Sequence, residues 1–206
     1  MDSELFSKRG SKEICICGID EAGRGPLAGP VAASAVILPK DFPLEVLNDS
    51  KKLSARQRQK AEKIIKEKAY WSIGWASAKE IDKLNILQAT FLAMARAFSK
   101  LDKQIPVDIA QVDGNQKPPL HCQVQTIVKG DASIPNIMAA SILAKEARDR
   151  FMVRCAAKWP QYGFEIHKGY PTLLHQKNLQ EYGQCPIHRR SFHLKKQLKK
   201  EEHPLI

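Results

Sequence analysis

GIDEAGRGPLAGP, residues 18–30, decides how the rest of the chain is read. The run Ile14-Cys15-Ile16-Cys17 before it is short and apolar, the pattern of a buried strand. That strand, over about residues 14–20, is expected to end on two adjacent carboxylates, Asp20 and Glu21. Open α/β sheets bind their ligands at the carboxyl ends of strands. Two neighbouring anions repel, and a cation beside them is the usual remedy at neutral pH. Gly23-Arg24-Gly25 follows, one guanidinium between two residues that lack a Cβ. Such a loop bares main-chain N–H groups and suits a phosphate or a sugar edge. An Asp-Glu pair alone is most simply a solvated turn; the thirteen-residue string is far less common by chance.

Outward from this string, Gly29-Pro30 leads into a small-residue apolar strand over residues 31–38, and the short connection predicts an antiparallel pair. Ser54 caps a helix that continues as ARQRQKAEKIIKEKA, with Ala61, Ile64, Ile65 and Ala69 on its apolar side. Residues 70–78 read as a third strand, and Ser77 with Glu80 forms a capping box for the next helix. From Asn85 an amphipathic helix carries Leu87, Phe91, Leu92, Met94, Ala95 and Phe98, a packing stripe. Residues 107–112 and 123–128 are the fourth and fifth strands, delivering Asp113-Gly114 and Lys129-Gly130-Asp131. The longest helix, residues 134–159, is stopped by Pro160, and Asp149 on it reads as an ion-pair partner of Lys145. Thr172 caps a last helix to about Tyr182.

Three separate strands therefore end in carboxylates: Asp20 with Glu21, Asp113, and Asp131. One Asp after a strand is usually a turn residue. Four acidic groups at comparable ends of one sheet match an oxygen-ligand site. Few histidines accompany them, which favours Mg²⁺ or Mn²⁺ over zinc.

Composition narrows the partner. The 206 residues suffice for one domain with a real core, and the net charge of +11 calls for a polyanion or an anionic membrane surface. No apolar run approaches the ~20 residues that span a bilayer, and MDSELFSKRGSKE lacks the apolar centre of a signal peptide. Cys15, Cys17, Cys122, Cys155 and Cys185 are odd in number and form no CxxC pair, which fits a reducing cytosol. The expectation is a soluble, cytoplasmic monomer with no membrane association, whose polyanion is nucleic acid.

The string at residues 18–30 resembles the first signature of ribonuclease HII, the type 2 ribonuclease H family. Asp131-Ala132-Ser133 followed by ASILAKEARD resembles the third signature, and His167-Lys168-Gly169-Tyr170-Pro171-Thr172 the fourth. His188-Arg189-Arg190-Ser191-Phe192 resembles the last, so the likeness covers about residues 14–192. It departs after Phe192: the family commonly continues with a short apolar segment, whereas this chain continues HLKKQLKKEEHPLI, a basic tail given no specific role. The arginine in Gly23-Arg24-Gly25 resembles ribonuclease HII rather than the ribonuclease HIII group, which has a different middle residue and an extra N-terminal domain for which this chain has no room.

The resemblance implies an α/β fold, a ribonuclease H-like mixed five-stranded sheet flanked by helices, with a helical C-terminal portion. It implies one catalytic domain over residues 1–206, with a core of about 14–160 and the helical portion over about 161–206. The implied activity is an endoribonuclease that cuts the RNA strand of RNA–DNA hybrids and incises at single ribonucleotides in duplex DNA. Two metal ions, Mg²⁺ or Mn²⁺, would be held by Asp20, Glu21, Asp113 and Asp131, leaving 3′-hydroxyl and 5′-phosphate ends. Substrate contacts fall to Gly23, Arg24, Gly25 and Tyr170, which in the family stacks on a sugar at the RNA–DNA junction. His167 and Lys168 are weaker contacts. Asn48, Ser50 and Lys51 lie in the family at the nucleic-acid surface near the site, though lysines such as Lys51 and Lys52 are equally read as solvated. Two other classes stay open: a resolvase- or transposase-like enzyme on the same superfamily fold, and a basic nucleic-acid-binding protein without catalysis.

Overall fold

In a computed structural model the described residues are 14–48, 50 and 53–192. Five strands form one sheet: β1 (Ile16–Ala22), β2 (Val31–Ile37), β3 (Tyr70–Ala76), β4 (Ile109–Asp113) and β5 (Gln123–Ile127). Their order is β3-β2-β1-β4-β5. β1 pairs antiparallel with β2, and β2 with β3, while β1–β4 and β4–β5 are parallel. The sheet is mixed, as expected, and its antiparallel part extends the expected β1–β2 pair to β3.

The helices are α1 (Ala55–Lys68), α2 (Ala78–Leu84), α3 (Ile86–Asp102), α4 (Pro135–Lys158), α5 (Phe164–His167) and α6 (Leu173–Tyr182). Their starts follow local chemistry. Ser54 and Gln57 close a capping box on α1, and Ser77 and Glu80 close one on α2. The Asn85 carboxamide accepts from Leu87 and Gln88 N–H at the head of α3, and Thr172 Oγ1 accepts from His175 N–H at the head of α6.

Two apolar layers sandwich the sheet. Cys17, Ile19, Ala33, Ala35, Ala110 and Val112 pack with Ala93, Met94, Ala97 and Phe98 of α3 on one face. On the other, Val36 packs with Ala139, Ala140, Ile142 and Leu143 of α4 and Ile65 of α1. Small residues let α4 come very close to the centre: a Cβ on Gly18 would stand 2.2 Å from the Asn136 carbonyl carbon. Asn136 then pins the helix to the sheet, donating to Ile16 O at 3.1 Å and accepting from Leu38 N–H at 3.1 Å. A third cluster, with Met152, Cys155, Tyr162 and Phe164, joins the far end of α4 to the helical residues that follow it.

One boundary differs from the sequence reading. β1 does not stop at Asp20; it stays paired through Glu21↔Ala33 and Ala22↔Ala32. The antiparallel partner β2, built of small buried residues, supplies ladder hydrogen bonds past the carboxylates, and these outweigh the local cost of placing charges in a strand.

Candidate active site

Asp20 and Glu21 project from the central strand. Ile19 lies in register with Val112 of parallel β4, so Asp20 stands level with Asp113, the last residue of β4. Asp131 follows β5 on a one-turn helix, Gly130–Ala132, and its N–H points at Asp113 Oδ1 at 3.4 Å. Asp20 and Asp131 are both buried.

Burial, followed by the charges of Glu21 and Asp113, pushes the Asp20 carboxyl well above the usual carboxylate range. Burial also raises Glu21; the Arg24 guanidinium opposes that shift and Asp113 adds to it. Arg24 Nη1 lies 3.5 Å from Glu21 Oε1, on a side chain that is half exposed. Asp20, Glu21 and Asp113 thus repel one another across a desolvated space, the condition that a cation relieves. Among the described residues, no group of three or more His, Cys, Asp or Glu side chains is gathered tightly enough to hold a metal ion as it stands. The carboxylates are neighbours rather than a closed ligand shell. Their donor chemistry, all oxygen and anionic, fits a hard divalent ion, and Asp20, Glu21, Asp113 and Asp131 are the groups that could hold one.

Two hydroxyls tie this cluster to the Ser50 segment. Ser141 of α4 donates to Asp20, and its Oγ lies 2.9 Å from Ser50 Oγ. Arg58 holds the same segment by Ser50 O at 3.3 Å and Leu53 O at 2.7 Å, braced by Glu146 at 2.7 Å. Ser50 is therefore buried, with its hydroxyl turned to Ser141. Asn48 is exposed, and Lys51 lies outside the described residues.

Loop 23–30 packs against residues 167–170 and 187–189. Leu27 N–H donates to Gly169 O, Gly29 N–H to Ile187 O, and Arg189 N–H to Leu27 O. Beneath the loop lie Arg148 and Arg189, each 1% exposed. Arg24 and Gly25 are exposed, and Tyr170 stands beside them: a Cβ on Gly25 would meet only Tyr170 Cε1, at 3.6 Å. Gly23 differs. Its φ is +98°, and a Cβ there would collide with Arg148 and Pro30 O, so this glycine opens space toward the interior rather than toward a substrate.

His167 is buried, its Nε2 bonds Tyr162 O at 2.7 Å, and its Nδ1 accepts from Gly169 N–H at 3.1 Å. Both ring nitrogens are thus committed within the turn that carries Tyr170. Lys168 is half-buried and bonds Glu165 O. Sequence reasoning missed Ser141 and gave Arg148 and Arg189 no individual role. The available signal was helical spacing: Ser141, Lys145, Arg148 and Met152 fall on one face of α4, and an arginine among apolar neighbours there is out of place unless it has acceptors.

A sequence model of the family described as Ribonuclease HII matches residues 17–195. A curated Ribonuclease HII of Bordetella avium is 54% identical over 191 residues, covering 92% of this chain and 94% of that protein. Among solved structures, the PCNA:RNase HII complex from Archaeoglobus fulgidus superposes with a TM-score of 0.71 at 24% identity, covering 88% of this chain and 96% of that chain. A Bst-RNase HIII in complex with Mn²⁺ gives 0.69 at 18% identity, covering 82% of this chain and 63% of that one. The two structural likenesses speak for the fold.

Proposed function

Since the chain belongs to the ribonuclease HII family and is a ribonuclease H hydrolase, we propose that it cuts the RNA strand of RNA–DNA hybrids and incises at single ribonucleotides in duplex DNA. The ends left are a 3′-hydroxyl and a 5′-phosphate. One observation carries the reading: three mutually repelling carboxylates, Asp20, Glu21 and Asp113, lie in the same segment as the exposed Arg24-Gly25 step, which has Tyr170 beside it.

Asp20, Glu21, Asp113 and Asp131 would hold Mg²⁺ or Mn²⁺. When bound, such ions supply electrophilic stabilisation of the phosphoryl group and a more acidic water. The chain's own part is positioning. Ser141 fixes the orientation of Asp20, and the 2.7 Å bond from Glu21 N–H to Asp20 Oδ1 fixes it further. Arg24 can leave its long 3.5 Å contact with Glu21 for a phosphate at little cost. Tyr170, 44% exposed, offers a ring face to a sugar and a phenol to the adjacent phosphate. The exposed N–H groups of Arg24 and Gly25 can read a 2′-hydroxyl, the one group that separates ribose from deoxyribose. The five free cysteines support a reducing, cytoplasmic setting.

The decisive assay uses a DNA duplex with one embedded ribonucleotide, an RNA–DNA hybrid and an all-DNA duplex, each with and without Mg²⁺ or Mn²⁺. Metal-dependent cleavage of the first two, with the third intact, is expected. Comparable cutting of the all-DNA duplex would favour a resolvase-like enzyme, and binding without cleavage would favour a non-catalytic protein.

A further inference from the structure

Arg148 and Arg189 come from α4 and from the segment after α6, some forty residues apart in sequence, yet both reach under loop 23–30. Arg148 Nε donates to Pro30 O at 3.0 Å and Nη2 to Ala28 O at 3.1 Å. Arg189 Nε donates to Gly29 O at 2.9 Å, Nη1 to Arg24 O at 2.9 Å and Nη2 to Gly23 O at 2.5 Å. Five carbonyls of an eight-residue loop are thereby drawn inward. Arg24 and Gly25 are exposed, and among the described residues no acceptor is bonded to their N–H groups. Successive free N–H groups of this kind form an anion-receptive concavity.

The charge balance points the same way. A buried guanidinium ordinarily has a carboxylate partner, because an unpaired buried charge is costly. Neither arginine forms an ion pair among the described residues. Asp149 acts on Arg148 and Asp82 on Arg189 only from a distance, while Asp149 bonds Lys145 and Asp82 bonds the N–H groups of Arg190 and Ser191. Burial, with the Arg148 charge beside it, brings Arg189 down to about 9, which leaves it a cation at neutral pH. Two uncompensated positive charges therefore sit behind the loop. The Tyr170 ring lies over Arg148, 5.9 Å from Cζ to the ring centroid, and beside Gly25, so it borders both the charged floor and the exposed step of the loop.

We infer that Arg148 and Arg189 are positioning residues whose missing counter-ion is a phosphodiester of the strand being cut, seated on the outer side of loop 23–25 beneath Tyr170. Their forks fix the geometry of the loop, and their charge sets its attraction for that phosphate. This rests on the hybrid-cleaving reading above. It adds that the loop's selectivity is built from beneath, by two side chains that touch no substrate atom. The guanidinium shape matters separately from its charge, since an ammonium in the same place cannot hold three carbonyls in a planar fork.

The test separates charge from shape. Arg189→Lys and Arg189→Met are compared with wild type for unfolding temperature, Mn²⁺ binding by calorimetry, kcat and KM on the single-ribonucleotide duplex, and metal-free duplex affinity against salt. Arg189→Lys is expected to lose more than tenfold in kcat, with Mn²⁺ affinity within twofold of wild type and an unchanged salt slope. Arg189→Met is expected to lose as much and also to flatten the slope of log K against log salt by ~0.9, the signature of one phosphate no longer neutralised. Should the methionine variant not fold, the lysine variant and a titration of ¹⁵N-labelled wild type with uncleaved duplex carry the test. In that titration the Arg24 and Gly25 amide resonances should shift. Wild-type kcat in Arg189→Lys, an unchanged salt slope in folded Arg189→Met, or unmoved Arg24 and Gly25 amides would each overturn the inference. A wild-type protein that cuts no ribonucleotide-containing duplex would instead remove the functional reading beneath it.

Discussion

Arg148 Nε fills the space that a β-carbon on Gly23 would need: the two would stand 2.0 Å apart. Gly23 also holds φ at +98°, where an L-residue is strained by about 1–2 kcal/mol. Gly23→Ala should therefore lower the unfolding temperature by about 5 °C, given ~2–4 °C per kcal/mol for a chain of this size. Gly25→Ala meets only Tyr170 Cε1 at 3.6 Å, an ordinary contact, and should unfold like wild type. Its methyl lies on the open side of the loop, so its effect should show in cleavage rate alone. Paired thermal melts and turnover assays check both, and equal melting temperatures for the two variants would contradict the assignment.

Removing one anion from the carboxylate cluster has an unusual expected sign. Burial and the charges of Glu21 and Asp113 hold Asp20 above its ordinary range, and burial and the charge of Asp113, opposed by Arg24, hold Glu21 above its own. Asp113→Asn should leave the metal-free protein as stable as wild type, or more so, while abolishing most cleavage. Wild type should gain stability on adding Mn²⁺, about 2.7 kcal/mol at a hundredfold excess over Kd. The variant should gain much less. Differential scanning calorimetry with and without metal gives the answer, and an equal gain in both proteins would remove Asp113 from the site.

Ser141 offers a milder perturbation. It donates to Asp20 and meets Ser50 Oγ at 2.9 Å. Groups that orient a metal-binding side chain typically cost 10–100-fold in metal affinity when removed. Ser141→Ala should accordingly raise the Mn²⁺ concentration for half-maximal cleavage by ~10-fold, with saturated turnover less affected. Ser50→Ala, one hydroxyl further away, should do so by less. A metal titration of activity distinguishes this from a folding defect, which would lower the maximum instead.

The legible part of this molecule was its local chemistry. The caps at Ser54, Ser77, Asn85 and Thr172 depend on a few consecutive residues and were readable as such. The antiparallel pairing of the first two strands followed from the short connection at Gly29-Pro30, and the mixed five-stranded sheet from the family resemblance. What was not legible depends on partners distant in sequence. The burial of Ser50 and His167 is of this kind: the chain supplies Ser141 to one, and Tyr162 O and Gly169 N–H to the other. Asp20 looked like the end of a strand because charges are rare inside one, and only the pairing with β2 carries β1 onward to Ala22.

A histidine network should make stability depend on pH. Cys185 N–H donates to His188 Nδ1 at 2.9 Å, His188 Nε2 meets His175 Nε2 at 3.0 Å, and His175 Nδ1 meets Tyr170 O at 2.9 Å. Only neutral rings satisfy the chain: His188 must donate from Nε2 and His175 from Nδ1. Burial, then the charge of His175, lowers His188 to about 4. The folded state thus binds fewer protons than the unfolded one between about pH 6.5 and 4, so this contribution is complete above that window and is lost as pH falls through it. Asp20 and Glu21, raised when folded, act in the opposite direction, so the useful quantity is the stability difference between wild type and His188→Gln. That gap should shrink steadily from about pH 7 to pH 4 in urea titrations; a constant gap would show that His188 does not titrate in this way.

Helix α4 works as a ruler laid against the sheet. Ser141 marks the carboxylates and Arg148 marks the loop, seven residues on and so ~10 Å further along an unbroken α-helix. The helix is continuous between the two marks, so the distance from the carboxylates to the loop is set by its backbone. A single residue added between Ser141 and Arg148 would turn the second mark through about 100° and lengthen the ruler by ~1.5 Å, and both ends could not then be used at once. The molecule is thus a fixed-gauge instrument: the carboxylate cluster and loop 23–30 are held at one separation.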